Sequence, residues 1–322
     1  MMPHTQQSRE TEEKFQQINQ RTGRNMPQAV ATAVVLIVVI LACLFISPML
    51  FAMLVIVFMI PGLWELRVDF ATRGLRIPVL TLWICSTATL LAVCFCEWHV
   101  VALAVGVLAS LLVVAVTASL QITLNGRTSE AVAGKATTAP DARTELRADE
   151  PHSRLTQVAV AMFTVLYIPL LASCIIMPIT FNGHPVAHAI LIVFMPALSD
   201  TGGLFAGAWL GRHKLCPTIS PKKSVEGLLG SILFAMAGCF AVFACTYEAS
   251  LWASRWWVPI VAGAMIGVVG TFGDLCASLI KRDLGIKDMG HLLKGHGGIL
   301  DRVDSILLCA PFICVLLWMT GM

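Results

Sequence analysis

Ser278-Leu279-Ile280-Lys281-Arg282-Asp283-Leu284-Gly285-Ile286-Lys287-Asp288-Met289-Gly290-His291-Leu292-Leu293-Lys294-Gly295-His296-Gly297-Gly298-Ile299-Leu300-Asp301-Arg302-Val303-Asp304 is a polar island in an apolar chain. More than half of these residues are charged, His or Gly, and apolar runs at 256–280 and 304–319 flank them. About 20 apolar residues cross a hydrocarbon core of about 30 Å as a helix. The island therefore reads as the connection between two spanning helices, and chemistry is expected to be concentrated on it.

Working outward, 57% of the 322 residues are hydrophobic and only 13% are charged, against about 25% charged in soluble domains. An all-α polytopic membrane protein follows. The net charge of +3 is small, and no basic run is interleaved with aromatics, so nucleic acid is not an expected partner. The eleven Cys lie mostly within apolar runs, where a thiol behaves as a small hydrophobe. Cys94 and Cys96 are expected to pack rather than to pair.

About nine spans are expected, at 28–47, 48–64, 77–96, 99–124, 157–177, 187–210, 225–247, 256–280 and 304–319. Ser47-Pro48 separates the first two as a tight turn, because proline disfavours helix at the residue before it. With the N-terminus in the cytoplasm, 21 of the 22 Lys and Arg residues fall in alternate, cytoplasmic segments and only Arg255 falls outside. The C-terminus is then outside. The polar residues 1–27 read as a cytoplasmic tail, 28–124 as the N-terminal membrane helices, 125–156 as a flexible cytoplasmic loop, and 157–322 as a C-terminal catalytic membrane region. His184 and His188 have no carboxylate partner nearby in sequence, so they read as satisfied or solvated rather than metal-bound.

Ionisable groups inside spans are costly and mark function. Asp200 ends an apolar run and precedes Gly202, Gly203, Gly207 and Gly211, spaced for close approach of a helix or ligand. Further on, Pro221 breaks helix, Ser224 is placed to cap the next one, and Glu226 suits its first turn. Lys222 and Lys223 beside that helix start make a phosphate site. Asp274, Ser278 and Lys281 share one helix face, and Asp301 and Asp304 share another. These carboxylates need Lys281 and Arg302, or a divalent cation such as Mg²⁺, to compensate them. Gly295, Gly297 and Gly298, around His296, form a turn whose amides can approach a phosphate chain. Together these features describe a metal-dependent polyphosphate site that opens to lipid.

The stretch also resembles the signature of the phosphatidate cytidylyltransferases, or CDP-diacylglycerol synthases. The resemblance lies in Ser278, Lys281-Arg282, Lys287-Asp288, Gly290, His296-Gly297-Gly298, Asp301-Arg302 and Asp304. A second segment, Asp200 through Gly207, Gly211-Arg212 and Ile219-Ser220-Pro221-Lys222-Lys223-Ser224, Glu226-Gly227, is similar to the family's other cytoplasmic segment. Lys294 departs from the family's usual Pro or Gly, and Leu204 from its usual aromatic residue. The resemblance implies a nucleotidyltransferase that joins CTP to phosphatidate, giving CDP-diacylglycerol and pyrophosphate. It implies Mg²⁺, with a second, monovalent cation such as K⁺, and a homodimer in a bacterial inner membrane with the site facing the cytoplasm. Asp274, Lys281, Asp301 and Asp304 would be catalytic, the three Asp as metal ligands. Ser220, Lys222, Lys223, Ser278, Arg282, Lys287, Asp288, His296, Gly297, Gly298 and Arg302 would bind substrate, with Asp200 and Glu226 as further candidates. A CTP-dependent lipid kinase of the dolichol or phytol type is the nearest alternative. An ion-coupled transporter is a more distant one, because the chain shows no internal repeat of broken helices.

Overall fold

A computed structural model describes residues 26–133, 154–181, 183–290 and 297–322. The expected tail lies almost wholly outside the described residues, as do His296 and most of the 125–156 loop. The described chain is mostly helical, with short connections and one small hairpin. The helices are α1 (Met26–Ile46), α2 (Pro48–Ala71), α3 (Val79–Phe95), α4 (His99–Ala133), α5 (Arg154–Val165) and α6 (Leu171–Ile176). They continue as α7 (Pro185–Leu210), α8 (Val225–Thr246), α9 (Ala249–Arg255), α10 (Val258–Leu284) and α11 (Leu300–Thr320). Among the described residues, seven segments are long and apolar enough to cross a membrane, with Arg154–Thr180 counted as one. Two shorter apolar helices, Ala31–Ile46 and Val79–Phe95, accompany them.

The Ser47-Pro48 turn is as expected. Ser47 is extended at φ −163°, its hydroxyl accepts from the Met49 amide at 3.3 Å, and proline starts α2. Several helices outrun their expected ends, most of all α4, which continues to Ala133, and α2, which continues to Ala71. In α2, Leu66 and Phe70 extend the buried stripe past Trp64, and the acidic side chains Glu65 and Asp69 are buried beside them. Between α5 and α6 the backbone widens into one π-helical turn, Leu166–Leu170, that contains Pro169. Proline brings no N–H to the helical ladder, and a π turn absorbs that gap.

In the C-terminal half, α8 packs against both α7 and α10, and α11 packs on α10 and α7. Glycine brings two of these helices together: a Cβ at Gly273 of α10 would lie 3.1 Å from the Asp304 carbonyl and 3.2 Å from Leu308 Cβ of α11. Large apolar residues such as Val105, Leu112 and Trp209 stay exposed on the outer surface, as lipid-facing residues do.

Segments expected on one side of the membrane meet at one end of the bundle. Arg73 Nε donates to the Leu284 carbonyl at 3.0 Å, and Lys223 Nζ lies 2.8 Å from Asp274 Oδ2. Segments expected on the other side meet at the far end. There the Pro178 carbonyl can only accept, so His188 Nδ1 donates to it at 2.8 Å, leaving Nε2 to accept from the Tyr247 hydroxyl at 3.2 Å. His188 is thus buried and satisfied. The rings of His184 and Tyr247 meet edge to face, 5.0 Å between centroids.

Candidate active site

The local fold that carries the two lysines is the hairpin, which the sequence reading did not anticipate. Strand β1 (Lys214–Cys216) pairs antiparallel with β2 (Ser220–Ser224). Along β2, Lys222 is exposed, whereas Lys223 is half-buried with its ammonium turned to α10. The strand ends in the expected cap: Ser224 Oγ accepts from the Gly227 amide at 3.1 Å. Glu226 closes the hairpin from the first turn of α8. Its carboxylate accepts from the Arg212 amide at 3.1 Å and pairs with His213 Nδ1 at 2.7 Å.

A cavity of about 650 Å³ opens between α7, β2, α8, α10 and α11, within the ~300–1,000 Å³ typical of ligand pockets. Asp200 and Leu204 of α7, Ser220, Lys222 and Lys223 of β2, and Thr271, Asp274 and Lys281 of α10 line it. Asp288 of the α10–α11 connection and Asp301, Arg302 and Asp304 of α11 complete the wall. Lys223 Nζ bridges Asp274 Oδ2 and the Thr271 carbonyl, each at 2.8 Å. Lys281 Nζ donates to Asp301 Oδ1 at 2.7 Å, and the Asp301 side chain is only 6% exposed. The other oxygen of Asp301 accepts from the Met289 amide at 2.8 Å and the Gly298 amide at 3.2 Å. Asp304 Oδ1 accepts from the Ser305 amide at 2.8 Å.

Ten of the sequence-derived candidates share this one wall: Asp200, Ser220, Lys222, Lys223, Asp274, Lys281, Asp288, Asp301, Arg302 and Asp304. Ser278 is half-buried and does not line the cavity, and Arg282 and Lys287 are exposed away from it. Gly297 and Gly298 support Asp301 from behind, the first with a missing Cβ 3.2 Å from its carboxylate. Glu226 belongs to the hairpin rather than to the cavity.

Among the described residues, no group of three or more His, Cys, Asp or Glu is arranged to hold a metal ion. The expected triad of Asp274, Asp301 and Asp304 is divided, because Lys223 and Lys281 each hold one carboxylate. The donor chemistry still suits Mg²⁺, which needs only one or two carboxylates and completes its shell with water and phosphate. Glu65 was missed. Ending the second span at residue 64 left it in a loop, although Leu66 and Phe70, three and seven residues after Leu63, continue the helical apolar pattern beyond it.

The sequence model of the cytidylyltransferase family matches residues 27–320. The chain belongs to this family. It is 36% identical over 163 residues to the phosphatidate cytidylyltransferase of Mycobacterium bovis, 50% of each chain. It is 36% identical over 135 residues to the phosphatidate cytidylyltransferase of Staphylococcus haemolyticus, 42% of this chain and 49% of that one. The uncharacterised protein YnbB of Escherichia coli is 38% identical over 126 residues, 38% of this chain and 41% of that one. The chain spans about half the length of these curated relatives or less.

Proposed function

We propose that the protein is a phosphatidate cytidylyltransferase that joins CTP and phosphatidate into CDP-diacylglycerol and pyrophosphate. One observation carries the lipid half of this reading. Arg302 lines both the polar cavity and a second, wholly different cavity of about 240 Å³. The second is walled by apolar residues of α1, α2, α6, α7 and α11, among them Ile40, Phe51, Phe58 and Phe194. An arginine that borders both a charged cavity and an apolar one suits a phosphate on an acyl-bearing molecule, its stem matching the apolar side and its charge the phosphate.

In the proposed reaction, a lipid phosphate oxygen attacks the α-phosphorus of CTP, the bond to the β-phosphate oxygen breaks, and pyrophosphate leaves. Both reactants are anions, so alignment and charge neutralisation supply most of the catalysis. Lys222, Lys223, Lys281 and Arg302 provide the positive charge, and an ionised phosphate nucleophile needs no general base. Asp274 and Asp301, with Asp304 alongside, are the residues that would hold Mg²⁺, with Lys223 and Lys281 turned to phosphate oxygens. The ion would neutralise triphosphate charge. A monovalent cation beside it is part of the same reading.

The finer topology is proposed with the function: nine crossings, N-terminus inside and C-terminus outside, a bacterial inner membrane, a cytoplasmic site and a homodimer. The alternation of Lys and Arg between segments supports the sidedness, and resemblance to the family supports the dimer. Detergent-purified protein given CTP, phosphatidate and Mg²⁺ is expected to form CDP-diacylglycerol. Turnover of CTP without a lipid product would reject the assignment.

A further inference from the structure

We infer that α2 sets the spacing between Lys281 and Asp301 by gripping both ends of the α10–α11 connection, making Glu65 and Arg73 positioning residues. The reaction they position is the one proposed above, on which this inference rests. At the near end, Arg73, in the turn after α2, donates through Nε to the Leu284 carbonyl at 3.0 Å. Leu284 is the last residue of α10, one turn beyond Lys281. At the far end, Glu65 Oε1 accepts from the Ile299 amide at 3.0 Å and Oε2 from the Leu300 amide at 3.2 Å. Those amides open α11 and have no partner within their own helix, so the carboxylate is a cap supplied from another part of the chain. Asp301 is the next residue.

The connection itself is shaped to these two side chains. Gly285 has φ +73°, and an added Cβ there would lie 3.2 Å from Arg73 Nη2. Gly290 has φ +79°, and a Cβ would lie 2.6 Å from Glu65 Oε1. A Cβ at Gly298 would lie 2.8 Å from Glu65 Oε2 and would run into the Met289 carbonyl. Positive φ favours glycine at the first two positions, and contact requires it at the second and third. Glu65 is 2% exposed within a spanning helix, a costly place for a carboxylate with only a surface role. Its grip explains how a connection of many residues returns Asp301 to 2.7 Å from Lys281.

The test compares Glu65→Gln and Arg73→Gln with the wild-type protein by amide deuterium exchange, thermal midpoint and steady-state kinetics. In Glu65→Gln, exchange at residues 299–302 should rise at least ~10-fold. In Arg73→Gln the rise should fall on residues 282–286. In both, kcat should drop ~10–100-fold, as expected for catalytic groups moved by about an ångström. The KM for CTP should change less than ~3-fold, because Lys222 and Lys223 sit on another element, and the thermal midpoint should hold. A general loss of structure would instead lower the midpoint and raise exchange throughout. Unchanged exchange at both ends would overturn the clamp, and raised exchange with wild-type kcat would overturn its positioning role. If the wild-type protein transfers no cytidylyl group, the proposed function fails while the exchange data still judge the clamp. Arg73 is exposed, so its variant decides the matter should Glu65→Gln fail to fold.

Discussion

Asp301 receives a lysine on one oxygen and two backbone amides on the other, so its carboxylate fixes the connection and faces the cavity at once. Replacing it with Asn removes the charge that Lys281 is paired with and leaves one acceptor oxygen to serve either the lysine or the two amides. Asp301→Asn and Asp274→Asn are each expected to lower CDP-diacylglycerol formation by ~10²-fold or more, as loss of a preorganised charged group does. An assay of labelled product per folded protein checks this, and full activity in either variant would remove that residue from the site. Arg302→Ala should raise the KM for lipid phosphate more than that for CTP, measured by varying each substrate in turn. Much of this was legible in the sequence, because Asp274 and Lys281 fall at i and i+7 on one helix face. The pairing of Lys223 with Asp274 was not, since a strand orientation decides which of two adjacent lysines turns inward. Glu65 escaped for a related reason: its partners are amides of residues 299 and 300, more than 230 positions away.

The contact of α10 with α11 depends on Gly273, where backbone of the neighbouring helix lies at 3.1–3.2 Å from the place a Cβ would take. Gly273→Ala should therefore push the helices apart and cost about 1–3 kcal/mol, the usual penalty of overpacking. A lowered thermal midpoint together with lowered activity is the expected signature, because Asp274 follows this glycine and Asp304 lies opposite. Helix starts were readable wherever a side chain caps its own helix, as Ser47 and Ser224 do. Helix ends were less so: the second span was expected to stop at Trp64, whereas Leu66 and Phe70 are buried and the helix runs to Ala71. The β1–β2 hairpin left no periodic signal. Its strands are three and five residues long, too short for alternation to show, and Pro221 favoured a reading as helix breaker alone.

Among the described residues, the basic segments that carry Arg73, Lys223 and Lys281 lie at the end where Arg73 meets Leu284 and Lys223 meets Asp274, and His188 and Tyr247 meet at the other. Alkaline phosphatase fused after residue 255 should be active in a bacterial host, and a fusion after residue 223 inactive. The reverse pattern would place the cavity on the outer side. The count of crossings was less legible than the class of fold, because Ala31–Ile46 and Val79–Phe95 are shorter than a full span and composition alone does not set their depth. Central to the account is that the polar cavity moves a cytidylyl group, and not a terminal phosphate, onto a lipid phosphate. CTP labelled separately at its α- and γ-phosphates tests this directly with purified protein and phosphatidate. The account predicts α-label in the lipid product and γ-label in pyrophosphate; γ-label in the lipid, with CDP released, would contradict it.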